Sequence, residues 1–271
     1  MRCTVKKYLS FFRLRFAMGL QYRAAALAGI ATQFFWGAMN VLMYHAFYQS
    51  DPGAFPMTLE ATVTYVWLQQ ALLLLFAAWL IEHEIFDDIV SGNVVYELCR
   101  PVDIYNMWFA RSVANRLSRA VLRCFPILLV AGFLPRTYGM GAPASAGHFA
   151  LFLVTCVLGF LVTVAFFMLV YMLTFFTISP SGLRILVTSV VEFFAGGIIP
   201  LPFFPDGVRE VMELLPFASM QNVPLRIYSG SMDAVQMQHA VALQVFWIIA
   251  LVALGKVLCA RAMRRMTLQG G

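Results

Sequence analysis

Two long runs without a charged residue restrict the fold of this chain more than any other feature of its sequence. Residues 24–48 and residues 149–178 contain no Asp, Glu, Lys or Arg. About 20 consecutive apolar residues are enough to cross the hydrocarbon core of a bilayer as an α-helix. Only 12% of the chain is charged, whereas an ordinary soluble domain contains about 25% charged residues. We therefore predict an all-α, polytopic membrane protein.

The pattern of apolar runs predicts six transmembrane helices that follow a short interfacial helix. Residues 1–23 contain a basic segment whose apolar side chains share one helical face, which is typical of a helix lying in the membrane interface. The six spans are predicted at residues 24–48, 62–81, 112–134, 149–176, 183–199 and 239–258. No internal repeat divides the chain, so residues 1–271 are predicted to form a single transmembrane domain.

The distribution of cations predicts the orientation of these spans. With the N-terminus in the cytoplasm, all of the 19 Lys and Arg residues except Arg136, Arg209 and Arg226 lie on the inner side. Cytoplasmic loops carry the excess of positive charge in membrane proteins. Both termini are therefore predicted to be cytoplasmic, in the inner (cytoplasmic) membrane of a bacterium. Because the net charge of +6 follows the ends of the spans, no nucleic-acid partner is predicted.

Motifs of enzymes and nucleotide-binding proteins are absent from the sequence. It contains no G-x-x-x-x-G-K-[ST] phosphate loop, no H-E-x-x-H pair and no G-x-S-x-G turn. The five cysteines are scattered without C-x-x-C spacing. The chain is therefore predicted not to be an enzyme, with no catalytic, cofactor-binding or metal site. Any energy for work is expected to come from a partner protein.

A charged block at residues 82–106 is predicted to lie on the cytoplasmic side. It begins EHEIFDDIVSGNVVYELCRP, where apolar residues share one face of a short helix that Gly92 can end. Two interpretations stay open: a solvated hairpin between spans, and a docking element that transmits motion from a cytoplasmic partner. In the second, the apolar ridge enters a groove of the partner and the charges set its register. The residues assigned to docking are Glu84, Ile85, Phe86, Asp87, Asp88, Ile89, Gly92 and Arg100.

A proline-punctuated segment at residues 200–233 is predicted to lie on the outer side. Its apolar residues recur with helical spacing, and the face they form consists of Val208, Val211, Met212 and Leu215. Asp206 is placed to cap the start of this helix. We predict a short, half-buried helix that re-enters the membrane, where irregular backbone needs protein or water around it.

These features together resemble the permeases of ABC-2 type ABC transporters. The stretch DDIVSGNVVYELCRP resembles the I-x-x-G…L-x-R-P cytoplasmic motif of one subgroup, and FFPDGVREVMELLPFASMQNVPLRIYSG resembles that subgroup's P-x-x-[IVL]…LPF…P…G stretch before the last span. The resemblance implies an exporter in which a permease dimer, often of two different chains, binds cytoplasmic ABC ATPase subunits. ATP and Mg²⁺ would be held by those ATPases. It also implies a coupling helix in 82–106 and a re-entrant hairpin in 200–233.

A second group of candidates lies within the predicted spans. For the translocation path or a subunit interface, these are Gln33, Gly37, Asn40, Arg116, Arg119, Arg123 and Glu192. The first three share a helical face that suits either internal packing or a subunit interface. The arginines form a stripe that either extends to the inner headgroups or lines a vestibule for an anionic substrate or lipid. The carboxyl group of Glu192 is neutral, paired to a neighbouring helix or part of the translocation path. An unpaired charge at this depth costs about 2.5 kcal/mol or more.

Two other functions stay open on the sequence. A polytopic enzyme acting on lipid would need Asp, His or Cys residues clustered at one membrane depth. A non-transporting scaffold subunit would need neither the docking helix nor the re-entrant segment.

Overall fold

The computed structural model describes residues 2–51, 53, 55–177 and 180–265, with the side chains of 2–5 and 265 left aside. The predicted cytoplasmic tail beyond residue 265 therefore lies outside the described residues. In the described part the elements are all helical, as predicted. In chain order they are α1 (Arg2–Gly19), α2 (Arg23–Ser50), α3 (Leu59–Phe76), α4 (His83–Ser91), α5 (Val94–Leu98), α6 (Ile104–Phe133), α7 (Ala146–Thr174), α8 (Pro180–Phe194), a 3₁₀ turn (Leu201–Phe203), α9 (Asp206–Leu214), α10 (Asn222–Tyr228) and α11 (Ala234–Arg265).

Four helices of the described part are long and apolar enough to cross a membrane, namely α2, α3, α7 and α11. They correspond to the first, second, fourth and sixth predicted spans. The third predicted span falls in α6, whose 30 residues make it about 45 Å long. The fifth falls in α8, whose 15 residues make it about 22 Å long. α6 carries four arginines, at positions 111, 116, 119 and 123, so any stretch of it long enough to span a membrane contains several charges.

Three of these helices have boundaries that differ from the predicted ones. α3 ends at Phe76, although the apolar run continues to residue 81, because side chains of α6 and α8 bind the backbone beyond it. α6 begins well before residue 112, because the carboxylate of Asp103 accepts a hydrogen bond from the N–H of Asn106 at 2.8 Å. α8 ends before residue 199, because Gly196 adopts a positive φ of 75°.

α1 packs along the first half of α6. The N–H of Asp103 donates to the hydroxyl of Tyr8 at 3.0 Å, and Gly19 at the other end of α1 lies against the side chain of Ser118. The two helices therefore run side by side in the same direction. Leu9, on the face predicted to enter the membrane interface, is exposed. Phe12, Phe16 and Leu20 of the same face are half-buried, so the rest of the chain covers that face in part.

α7 is the central helix of the fold. It packs against α3, α4, α6, α8, α10 and α11. Its second half is almost completely buried, with Phe167, Met168 and Tyr171 each at 0–1% exposure. Close packing of this kind supplies the dispersion contacts that hold helices together where lipid gives no hydrophobic driving force. The candidate segments are attached to this helix and to α6.

The 200–233 segment forms the 3₁₀ turn, α9 and α10. All residues of α10 are buried, against α3, α7 and α11. In α9 Met212 is buried, whereas Val208 and Val211 of the same predicted face are 50% and 61% exposed, and the re-entry of this helix into the membrane stays a prediction. The spacing defines an apolar face but not which part of it the chain covers. Asp206 is wrong as a cap, because Pro205 holds that position and Asp206 pairs with Arg209 at 2.8 Å.

Candidate functional site

The short helix predicted in the 82–106 segment is present as α4, and Gly92 ends it with a φ of 79°. Its apolar face points into the protein. Ile85 and Phe86 are 0% and 6% exposed, and the ring of Phe86 packs edge-on against Tyr171 of α7 with 5.4 Å between centroids. The prediction that these two side chains form a ridge for a partner is therefore wrong. Core residues of the chain itself already cover them.

Charged groups attach α4 to three other helices. The carboxylate of Glu84 pairs with Arg111 of α6, which is only 2% exposed, and lies 3.6 Å from Arg15 of α1. The carboxylate of Glu82 lies 3.8 Å from the same Arg111. The N–H of Glu82 donates to the hydroxyl of Tyr171 in α7 at 3.0 Å. A buried guanidinium is stable only when it is paired, so these carboxylates hold α4 in place.

The exposed side of the segment is the turn between α4 and α5. Val90 and Tyr96 are the most exposed large side chains there, at 67% and 74%. α5 itself is fixed, because the indole N–H of Trp108 donates to the carboxylate of Glu97. The remaining predicted docking residues lie around this turn. Asp88 and Ile89 are half-buried, and Glu84, Asp87, Gly92 and Arg100 are exposed. We call the exposed residues from Val90 to Tyr96 the 90–96 surface, which leaves out the buried Val94.

Arg116 closes the end of α3. It is 2% exposed and donates to the carbonyl oxygens of Leu75, Ala77 and Leu80 at 3.2, 2.9 and 2.7 Å. Its guanidinium also lies over the ring of Phe167 at 4.7 Å, a cation–π contact. Carbonyl oxygens at a helix end lack hydrogen-bond partners within the helix. The guanidinium of Arg116 supplies the missing donors. Both predicted roles, extension to headgroups and lining of a vestibule, are therefore wrong for this arginine.

Glu192 of α8 binds the other side of the same stretch. Its Oε1 accepts a hydrogen bond from the N–H of Ala78 at 3.2 Å. The carboxylate is half-buried beside Gly197, whose carbonyl accepts from the amide of Gln69 at 2.5 Å. Of the alternatives for Glu192, contact with a neighbouring element is the one observed. Together with Arg116 it holds residues 77–82 in a non-helical conformation.

A groove of about 550 Å³ lies between α2, the second half of α3 and Arg123 of α6. The predicted residues Gln33 and Asn40 line it, together with Gln70 of α3. Gln33 is 4% exposed, and neither its amide nitrogen nor its amide oxygen has a hydrogen-bond partner. Leaving buried polar atoms unpaired costs about 1–3 kcal/mol each. Gln33 therefore contributes a buried amide without an internal partner to the wall of the groove.

Gly37 lies on the inner face of α2 rather than in the groove. A Cβ atom at this position would come within 2.8 Å of the Trp67 ring and 3.2 Å of Gln70. The glycine therefore lets α2 approach α3 closely. Of the two alternatives for Gly37, internal packing is the observed one.

A comparison with known protein families was made for the whole chain. A family model described as ABC-2 family transporter protein matches residues 34–270. The chain belongs to the ABC-2 transporter family. A comparison with curated proteins finds no significant match. The resemblance inferred from the two sequence motifs is confirmed, and the matched range includes α4, α5, the 200–233 segment and most of the groove.

In this ABC-2 protein the three predicted arginines do not act as one stripe. Arg116 is inside, Arg119 is exposed, and Arg123 is half-buried and donates to the carbonyl of Ala25 at 3.3 Å. Steps of three and four residues keep them within about 60° of one face of α6, so their different exposure follows from what packs beside each arginine and not from helical position. Identical residue types on one helix thus have different partners.

Sequence reasoning missed two residues that organise the ABC-2 fold, Arg111 and Tyr171. Arg111 precedes the predicted third span and was indistinguishable from a solvated cation. The sequence signal for Arg111 is the excess of carboxylates at residues 82–88. These carboxylates need a buried cationic partner if the segment packs against the rest of the protein. Tyr171 lies in an apolar run, and a tyrosine hydroxyl there needs a hydrogen-bond partner. These two signals together would have placed α4 against α6 and α7.

Proposed function

We propose that the chain is the membrane-spanning permease subunit of an ABC-2 exporter in the inner membrane of a bacterium. In this proposal α6 and α8 cross the membrane together with α2, α3, α7 and α11, and both termini are cytoplasmic. The chain pairs with a second permease chain. Two cytoplasmic ATPase subunits bind ATP and Mg²⁺ and supply the energy. The cargo moves outward when the two permease chains change their relative position.

The single observation that carries this proposal is the attachment of α4. Glu82, Glu84, Ile85 and Phe86 connect it to α1, α6 and α7. A force applied at the 90–96 surface is therefore transmitted to the spans. A passive scaffold has no need of such a link, so α4 and the family membership favour transport. The coupling surface that we propose is Val90 and Tyr96 with the polar residues around them, because buried aromatic anchors dominate most interfaces.

The groove beside α2 supports the assignment of the translocation path. Its polar lining consists of amides and one guanidinium, at Gln33, Asn40, Gln70 and Arg123. Amides and a guanidinium suit polar or anionic cargo better than they suit catalysis on lipid, which needs a clustered acid and base. The α2 residues on the rim are large and exposed, with Phe35 at 65% and Trp36 at 51%. We propose that the second permease chain covers this rim and completes the path.

The proposal is tested with the purified chain and its cognate ATPase. The complex should hydrolyse ATP, and the chain alone should not. Tyr96→Ala should weaken binding of the ATPase by about 2 kcal/mol, or roughly 30-fold in Kd, because an exposed aromatic is lost from the interface. Surface plasmon resonance with the permease in nanodiscs measures this affinity.

Phe133→Ala is the matched control for that experiment. Phe133 is an equally exposed aromatic, at 84%, but it lies at the opposite end of α6. Its replacement should leave the Kd of the ATPase unchanged. ATP hydrolysis by the isolated chain, or equal Kd values for Tyr96→Ala and the parent, would contradict the proposal.

A further inference from the structure

A second groove, of about 260 Å³, lies where α1 turns into α2 beside the middle of α6. One wall is the start of α2, at Tyr22, Ala25 and Ala26, and the other is α6, at Arg119 and Arg123. The groove is open to the surroundings, since Tyr22 is 72% exposed and Arg119 is exposed. It is separate from the 90–96 surface, although Arg123 also borders the larger groove.

The two guanidiniums of this groove are not neutralised by the protein. They stand one turn apart on α6, and like charges at this spacing repel each other. Among the described residues no carboxylate lies within ion-pair distance of Arg119 or Arg123. The hydrogen bond that Arg123 donates to the carbonyl of Ala25 at 3.3 Å leaves its charge in place. Positive charge is therefore concentrated here without an internal counterion.

Apart from Tyr22, which carries a phenolic hydroxyl, the remaining side chains of the groove lining are apolar. Ala25, Ala26 and Leu122 offer no hydrogen-bonding side chain. Arg23 is the last charged residue before the charge-free run at 24–48, so the groove lies at the boundary between charged and apolar sequence. A ligand here meets two guanidiniums on the α6 wall, beside Leu122, and the small apolar side chains of Ala25 and Ala26 on the α2 wall. Phosphate geometry suits a pair of guanidiniums, which can donate several N–H groups to its oxygens.

We propose that this groove binds the phosphate-bearing headgroup of an anionic phospholipid of the inner leaflet. Arg119 and Arg123 hold the phosphate oxygens, and the apolar wall contacts the start of the acyl chains. The assignment to the inner leaflet rests on the proposed orientation of the chain, whereas the assignment of the headgroup rests on the groove alone. The bound lipid sits beside the α1–α2 corner and supplies the counterion that the protein lacks.

Native mass spectrometry of the purified full chain in detergent tests this proposal without the ATPase. Phosphatidylglycerol should bind at least tenfold more tightly than phosphatidylcholine, because only the former carries net negative charge. Arg119→Gln should lower the affinity for phosphatidylglycerol about tenfold, because a charge-assisted hydrogen bond is lost. Arg119→Lys should retain part of it, since the charge remains but the planar pair of donors does not. Arg119 is exposed, so all variants should elute as the parent does in size-exclusion chromatography.

Arg13→Gln is the matched control, because Arg13 is an exposed cation of α1 outside the groove. It should leave the affinity for phosphatidylglycerol unchanged. Equal loss in Arg13→Gln and Arg119→Gln would show general surface attraction and overturn the site. Equal binding of phosphatidylglycerol and phosphatidylcholine would also overturn the site. Competition by soluble glycerol 3-phosphate, at the same concentration as the lipid, would indicate a site for a free anion and would overturn it as well. None of these outcomes depends on whether an ATPase binds.

Discussion

Arg116 and Glu192 are the residues whose charge inside a predicted span is most unusual for a membrane helix. A charge inside a predicted span costs free energy and therefore calls for a partner, which was predictable. The partners were not, because they are backbone groups far away along the chain. Arg116 reaches carbonyls 36 to 41 residues earlier, and Glu192 reaches an N–H 114 residues earlier. Both bind the stretch after α3, which no local pattern marks as non-helical.

Replacement of Arg116 tests this structural role. Arg116→Gln can satisfy at most a part of the three carbonyls and loses the contact with Phe167. We expect a loss of about 2 kcal/mol or more in the free energy of unfolding, which lowers Tm by roughly 4–8 °C for a chain of this size. Thermal unfolding in lipid-free detergent measures it. Arg119→Gln, on the exposed side of the same helix, should melt like the parent, and an unchanged Tm for Arg116→Gln would contradict the assignment.

Among the elements, α4 separates what local sequence can predict from what it cannot. Its helix and its end were predictable, because Ile85, Phe86 and Ile89 share a face and Gly92 adopts the left-handed conformation that ends it. The direction of that face was not, because an apolar ridge suits a partner protein and the chain's own core equally well. Packing against Tyr171 and the buried Arg111 decides the direction. The same argument applies to α9, where neighbouring elements cover the side chain of Met212 and leave that of Val211 exposed.

Truncation of Phe86 tests whether α4 transmits force through its buried face. Phe86→Ala removes a core side chain, at a cost of about 3–5 kcal/mol in well-packed sites. We expect α4 to detach from α7, so that amide hydrogens at residues 83–91 exchange faster and ATP hydrolysis is no longer stimulated by cargo. The Kd of the ATPase should change less than in Tyr96→Ala, since the 90–96 surface is intact. Phe125→Ala, which removes an exposed ring of α6, is the control, and protection equal to the parent in Phe86→Ala would sink the idea.

At the scale of the whole molecule, hydropathy and charge predict α2, α3, α7 and α11, the four described helices that are long and apolar enough to cross a membrane. The two charge-free runs became α2 and α7 within a few residues of their predicted ends. Hydropathy is least informative for α6 and α8, the helices that connect the candidate functional site to the rest of the fold. α6 carries buried arginines whose partners come from other elements of the fold, and α8 ends at Phe194, two residues before the positive φ of Gly196. The six-span proposal therefore depends on these two helices.

Four single cysteines in a background without the native five test whether α6 and α8 cross the membrane. Asn93→Cys and Thr137→Cys lie before and after α6, and Ser181→Cys and Glu210→Cys lie near the start of α8 and beyond its end. All four positions are exposed. If both helices span and the charge distribution sets the orientation, a membrane-impermeant maleimide on intact cells labels only Thr137→Cys and Glu210→Cys. Permeabilised cells should show all four labelled, which controls for reactivity. Labelling of Asn93→Cys and Thr137→Cys from the same side would mean that α6 does not cross, and the same result for the second pair would remove α8 from the spans.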